Sequence, residues 1–536
     1  MQGIWITVGA PADAAPSRPL PATVAPSARI GGASYAAADN ADKNIGPWQP
    51  IKVSADAAIL PYKQAIDARA SDLARNNGFA LGIHQTRLDN VIGPMGLRLS
   101  PKPDYRALGR DEAWADETAD IIKSEFSSWA NDPQQCDAAG QFDFADHQTI
   151  AFLNCATFGD SFELPLWLPE QGRRWNLRLQ GVQPSRCINP YGQQDQAKFR
   201  GGIESDDYGA AIRYHFANRN PDDGPLVDWE SRYKTEAVDA FTAWGRRRVI
   251  HAIDRREFGQ TRGIGALTPI LAKFKKLDTF MDLVMQQQLV ANLFGIVLET
   301  EVDDLLGLFQ DKNAFLTAMA SRVPPTFKSG GNVLQLRPGE KATQIAPQLQ
   351  GVQLEQFVGS YLREVCAGTS LPYELLTKDF SKSSYVGIRA GLAEAVRTFT
   401  SSRVWFADVY CQPIYELWFE EAVNSGRIKA PGYYGNRHAY TRANWLGARN
   451  SFTDRVKETT AAVLAIENNL STHEEEISIF CGRDWKDVFD QRAREVAYAE
   501  KKKLPTVAGP AAVASAGAPQ TDPSAPPADQ NKQGSQ

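Results

Sequence analysis

The sequence predicts an α+β fold: a mixed body followed by a long, mostly helical half. Three observations predict it. Residues 140–260 carry short alternating and aromatic runs separated by turn residues, which read as strands. From Thr268 onward the periodic stretches are helical and long. Between two of those helices lies a segment broken by Pro324, Pro325, Gly330, Gly331 and Pro338, and after them a polar loop opens into a further long helix.

Taken in order, residues 56–92 and 111–131 read as helical, the second with Trp114, Ile121, Ile122, Phe126 and Trp129 on one face. WNLRLQ (175–180) alternates as a half-buried strand would. GGIESDDYGAAIRYHF (201–216) reads as two strands around an Asp206-Asp207-Tyr208-Gly209 turn. GQTRGIG (259–265) is rich in breakers and reads as a hinge. The helix after it starts near Thr268, with Pro269 well placed in its first turn. Continued to about Leu298, it would be on the order of 45 Å long.

Residues 300–346 read as a small α+β insert, and 352–369 as the next helix. A very long helix runs from about Ser384 to Asn424, and Pro413 should bend it by removing the bond to the Val409 carbonyl. Thr472 followed by Glu475, with Leu470 before them, has the pattern of a capping box. Gly482 stops that short helix, and a last one runs from Asp484 to about Lys502, with lysines in its final turn.

At 536 residues the chain is too long for one core. Charged residues at 23% and apolar residues at 43% are ordinary for a folded soluble protein, and internal repeats are absent. The net charge of −5 argues against a wrapper of nucleic acid. Six scattered cysteines without a CxxC read as buried thiols of a reducing compartment. The longest fairly apolar run, 283–298, contains three glutamines and an asparagine, so no membrane span is expected. The first residues lack the basic region of a secretory signal. Residues 1–50 and 504–536, rich in Ala, Pro, Gly and Ser, are expected to be a flexible arm and a disordered tail.

Phe158-Gly159-Asp160-Ser161 matches the block that opens GDSL-type hydrolases, with Ser161 as nucleophile. That family takes its base and acid from a D-x-x-H, and none occurs here, so a Gly-Asp-Ser turn between strands is the preferred reading. The six histidines show neither HExxH nor HxH spacing, and GxxxxGK[ST] is missing. Gly263-Ile264-Gly265 lacks the third glycine of a dinucleotide loop. No catalytic constellation, metal site or cofactor is expected.

Several stretches carry a resemblance: DLARNNGFALGIHQTRLDNVIGPMGLRL (72–99), CDAAGQFDF (136–144), FRGGIESDDYGAAIRYH (199–215), GQTRGIGALTPILAKFKKLDTF (259–280), CAGTSLPYELLTKDFSKSSYVGIRAGLAE (366–394) and GRDWKDVFDQRARE (482–495). Through them the chain resembles the lambda-like group of tailed-phage portal proteins, from about 60 to 497. The resemblance implies a non-enzymatic ring, usually of twelve copies, at one capsid vertex of the virion, assembled in the host cytoplasm. It would serve as the channel for DNA packaging and ejection. Its implied partners are double-stranded DNA bound without sequence preference, the terminase motor, the head-tail connector and the major capsid protein, with no membrane. The implied parts are a wing (51–262), a first stem helix (263–299), a clip (300–346) and a second stem helix (347–370). A tunnel-loop region (371–386), a long tunnel-lining helix returning to the wing (387–450) and a crown (451–503) follow.

The polar loop then gains a meaning. In a ring it would present Lys378, Ser381, Lys382, Ser383, Ser384 and Tyr385 to a duplex. Lysines and hydroxyls touch phosphate without reading bases. Two other readings stay open on the residues alone: a serine hydrolase using Ser161, and a scaffold or adaptor that never meets DNA.

Overall fold

The computed structural model describes residue 37 and residues 42–44, 46–226, 228–293, 297–300, 340–343, 351–381, 384–449 and 454–504. The expected arm up to 36, the tail from 505 and most of the expected insert (301–339 and 344–346) lie outside the described residues. Residues 1–54 and 55–536 are two units. In the first, Asp42 turns the chain by accepting from the backbone of Asn44 and, through its carbonyl, of Gly46, and residues 48–54 run on without helix or strand.

The second unit is mixed, as the sequence predicts. Helices Lys63–Asn76 and Gly78–Val91 are separated at Asn77, whose side chain caps the latter by accepting from Ala80 N at 2.9 Å. Helix Glu112–Ala130 buries Ile122, Phe126 and Trp129, whereas Ile121 is exposed. Helix Glu112–Ala130 and the start of helix Phe144–Phe158 meet a later helix, Gln412–Asn424, in an aromatic cluster. Phe126 sits edge-on to Phe144, Tyr415, Trp418 and Trp445, with ring centroids 5.0–6.3 Å apart.

Helix Phe144–Phe158 corrects the β-rich reading of 140–260. A capping box formed by Asp143 and Asp146 starts it, and Phe144, Ala151, Phe152, Cys155 and Ala156 bury one side. The strands follow. A three-stranded antiparallel sheet has Asp160–Trp167 between Leu177–Val182 and Ile250–Ile253. A four-stranded sheet runs in the order Phe199–Arg200, Ile203–Ser205, Ala211–Ala217, Thr235–Asp239, so the predicted 201–216 hairpin forms. Strand Leu177–Val182 does not alternate: Leu177, Arg178 and Leu179 are all buried, with Arg178 paired to Glu170 at 2.7 Å. A second core, including Phe162, Val182, Ile203, Tyr214, Phe216 and Val249, lies between the sheets.

The helix expected from Thr268 opens with a 3₁₀ turn carrying Pro269 and continues as Leu271–Leu293. It stops short of Leu298 because β-branched Val297 and its neighbours enter strand Val297–Thr300, paired antiparallel with Glu340–Thr343. Helix Gly351–Thr369 follows. The long helix is three pieces, Tyr385–Phe406, a π-helical turn Ala407–Cys411 and Gln412–Asn424. Gln412 N donates to Ala407 O, five residues back. The wide turn thus resets the register, and Pro413 falls in the first turn of the next piece, where its missing N–H costs little. Thr472 caps His473–Cys481 by accepting from Glu475 N at 3.2 Å, which is one half of the expected box. Trp485–Lys502 closes the described chain. Five cysteines are buried and Cys481 is exposed, against the expectation of six buried thiols. No helix among the described residues is long and apolar enough to cross a membrane.

Candidate functional site

The predicted loop is built by both flanks. Helix Gly351–Thr369 ends at Ser370, which takes a left-handed φ of 56°. Leu371 and Leu376 are buried, pinning the short helix Tyr373–Thr377 to the body. Lys378 ends that helix at φ 57°, a C-cap conformation more often given to glycine. Its ammonium is tethered: Nζ donates to Thr86 Oγ1 at 2.9 Å, on helix Gly78–Val91.

Asp379 then organises the turn, its Oδ1 accepting from Ser381 N at 2.9 Å and Ser381 Oγ at 2.6 Å. Ser384 is the N-cap of Tyr385–Phe406 and accepts from Gly387 N at 3.1 Å. Tyr385 is 45% exposed, with Lys457 Nζ 6.0 Å from its ring centre. Lys382 and Ser383 lie outside the described residues. So Ser381 and Ser384 make local structural bonds. Lys378 and Tyr385 present exposed surface on the same short segment. Two residues were missed: Asp379, and Phe380, which is 44% exposed. The Asp-x-Ser spacing was a readable turn signal for the first; an exposed Phe in a polar loop has no comparable rule.

The charge around the loop is mostly balanced. Arg389 pairs with Glu458 at 3.0 Å and Arg397 with Glu394 at 3.5 Å.

Ser161 lies elsewhere. Gly159 ends helix Phe144–Phe158 in the left-handed region, and Ser161 is already inside the buried strand Asp160–Trp167, so the block is a helix-to-strand junction and not a turn between strands. Ser161 lines a cavity of about 410 Å³ together with His147, Glu163 and Asp137. His147 points Nε2 at Asp137, 3.3 Å away, and Nδ1 at Glu163, 3.4 Å away. Burial opposes its protonation, but the Glu163 and Asp137 carboxylates outweigh that and raise its pKa. Both ring nitrogens face carboxylates, which leaves neither to act as base for the Ser161 hydroxyl. Glu163 also accepts from Tyr410 Oη at 2.9 Å, which ties the π-turn to the sheet. Among the described residues no group of His, Cys, Asp and Glu could hold a metal ion.

The predicted hinge at 259–265 is a locked joint. Arg262, fully buried, donates from Nε to Asp160 at 2.6 Å, from Nη1 to Cys187 O and Gly201 O at 2.8 and 2.9 Å, and from Nη2 to Pro184 O at 3.0 Å. Burial would raise the Asp160 pKa, yet Arg262, then Lys63, hold it well below the usual carboxylate range. At Gly159 a Cβ would meet Ile264 N at 2.0 Å, and at Gly263 it would meet Gly159 O at 1.9 Å, so two backbones cross where no side chain fits.

A body of helices and small sheets, a locked joint, and an exposed loop before a long helix interrupted by a π-turn make up the described chain. The family model described as "Phage portal protein, lambda family" matches residues 42–403. The chain belongs to the lambda family of phage portal proteins. It is 29% identical to the portal protein of Escherichia phage N15 over 500 residues, covering 89% of this chain and 93% of that one. It is 28% identical to portal protein B of Escherichia phage lambda over 469 residues, covering 84% and 86%. Among solved structures it is similar to a chain in the neck of the native GTA particle computed with C12 symmetry (8% identity, TM-score 0.38, 78% of this chain and 94% of that one).

Proposed function

We propose that the chain assembles into a ring, of twelve copies in the particle, at one capsid vertex of the virion, and that the ring conducts double-stranded DNA during packaging and ejection. Residues 51–262 act as its wing, 263–299 and 347–370 as stem helices, 300–346 as the clip that docks the terminase motor and later the head-tail connector, and 451–503 as the crown. The wing faces the major capsid protein. The observation that carries this reading is the exposed segment 378–381 and 384–385, held from both sides, in a chain of the portal family. Lys378 and Lys382, offset by Asp379, give each subunit a small positive excess. That suits brief, salt-sensitive contact with phosphate better than tight binding, which would stall a moving duplex.

Electron microscopy of the purified full-length chain tests the proposal. Closed rings with a central channel are the expected result. A stable monomer across micromolar concentrations would overturn it and favour an adaptor.

A further inference from the structure

We infer that residues 48–54 of one copy add as an extra strand to the open sheet edge at Thr235–Asp239 of the next copy. This rests on the ring reading above.

The acceptor is an unpaired edge. Thr235–Asp239 is the last strand of the four-stranded sheet, bonded on one side to Ala211–Ala217. Among the described residues its other side makes no main-chain bond, and Glu236 and Ala237 are exposed. An open row of N–H and C=O groups is a template for another extended chain.

The donor has the matching character. Trp48, Ile51 and Val53 are 65%, 85% and 51% exposed in a segment that is neither helix nor strand. Pro47 and Pro50 keep such a segment extended, which lowers the entropy cost of docking it. If Lys52 stands opposite Glu236, the pleat places Ile51 and Val53 on the side of Thr235 and Ala237. Neither Lys52 nor Glu236 has an ion-pair partner in its own chain among the described residues. Trp48 falls on the same side as Lys52. On that side of the acceptor, Glu236 and Val238 border a cavity of about 650 Å³ lined also by Trp167, Trp244, Arg246 and Arg247. An indole fits there by stacking on rings and guanidinium groups.

Direction follows from the sheet order. The second unit begins at helix Ala55–Ile59, and Asp56 accepts from Arg200 Nη1 at 3.2 Å, beside the strand at the opposite edge of the same sheet. Donor root and acceptor edge are thus three strand spacings apart, about 14 Å. A donor on one edge and an acceptor on the other make a head-to-tail contact, the kind that closes a ring.

The test uses the full-length chain with the exposed Cys481 replaced by Ala. Lys52→Cys and Glu236→Cys are combined, and assembled rings are treated with a short bismaleimide. The expected result is a ladder at multiples of the chain mass. Mixed rings of the two single variants should give only the two-chain band. In parallel, Lys52→Glu and Glu236→Lys should each raise the subunit concentration needed for rings about three- to tenfold, and the double swap should restore it. Rings that form normally with both single charge variants, or rings without inter-chain cross-links, overturn the inference while leaving the ring reading intact. A cross-link from Glu236→Cys that forms only in particles, to a different protein, gives the edge to that partner and also overturns it. A wild-type chain that forms no rings removes the ring reading first, and this inference with it.

Discussion

Replacing Arg262 with Met tests the joint that connects the sheets to the helix Leu271–Leu293. Methionine keeps most of the volume but removes every guanidinium bond. Asp160 loses bonds at 2.6 and 3.3 Å, and the carbonyls of Cys187, Gly201 and Pro184 lose their shared donor. Asp160 keeps Gly263 N at 3.1 Å, with Lys63 at 4.0 Å, so its charge stays buried and poorly compensated. Removing one partner of a buried ion pair costs about 3–5 kcal/mol. Adding Asp160→Asn removes the stranded charge, so the double variant should recover at least about 1 kcal/mol of that loss. The assay is urea unfolding followed by tryptophan fluorescence, with hydrogen exchange reporting on 184–202 and 259–265. A single variant within about 0.5 kcal/mol of wild type, or a double variant no better than the single, would refute the reasoning.

Changing Lys378 and Lys382 to Glu should leave rings intact but impair DNA packaging or retention, with partial rescue at higher ionic strength; a normally filled particle would show that 377–385 does not face DNA. His84 is buried with neither ring nitrogen bonded among the described residues, and burial, then Arg87, lowers its pKa to about 4. It is neutral in the fold and takes up a proton more readily when unfolded. Its contribution is therefore complete above pH ~6.5 and lost as pH falls toward 4, on the order of 3 kcal/mol. His84→Gln should flatten the acid side of the urea-midpoint profile between those pH values, and an unchanged slope would contradict this. Ser161→Ala should leave particle yield unchanged, since the His147 nitrogens are directed at carboxylates; loss of yield with rings still forming would revive the hydrolase reading.

The helical half was legible because its signals are local. Pro269 in a first turn, Thr472 as a cap and Gly482 as a stop each act within a few residues. Helix Phe144–Phe158 was misread although Asp143 and Asp146 marked its start; the turn-rich sequence on either side hid a short apolar face. The π-turn has no local mark beyond Pro413, because Glu163, which holds Tyr410, lies 247 residues away. Arg178 is buried in a strand only because Glu170 folds back to it. The loop's polarity was readable, but not that Lys378 is tied to Thr86, 292 residues earlier, or that Ser381 and Ser384 have structural duties. Chemistry set by long-range contacts could not be read from spacing.

The most direct test of the central claim places a photo-reactive benzoylphenylalanine at Tyr385 in the full-length chain and irradiates DNA-filled particles. The account predicts cross-links to packaged DNA, distributed without regard to base sequence, and none to DNA in emptied particles. Filled particles in which position 385 cross-links only to protein would contradict it.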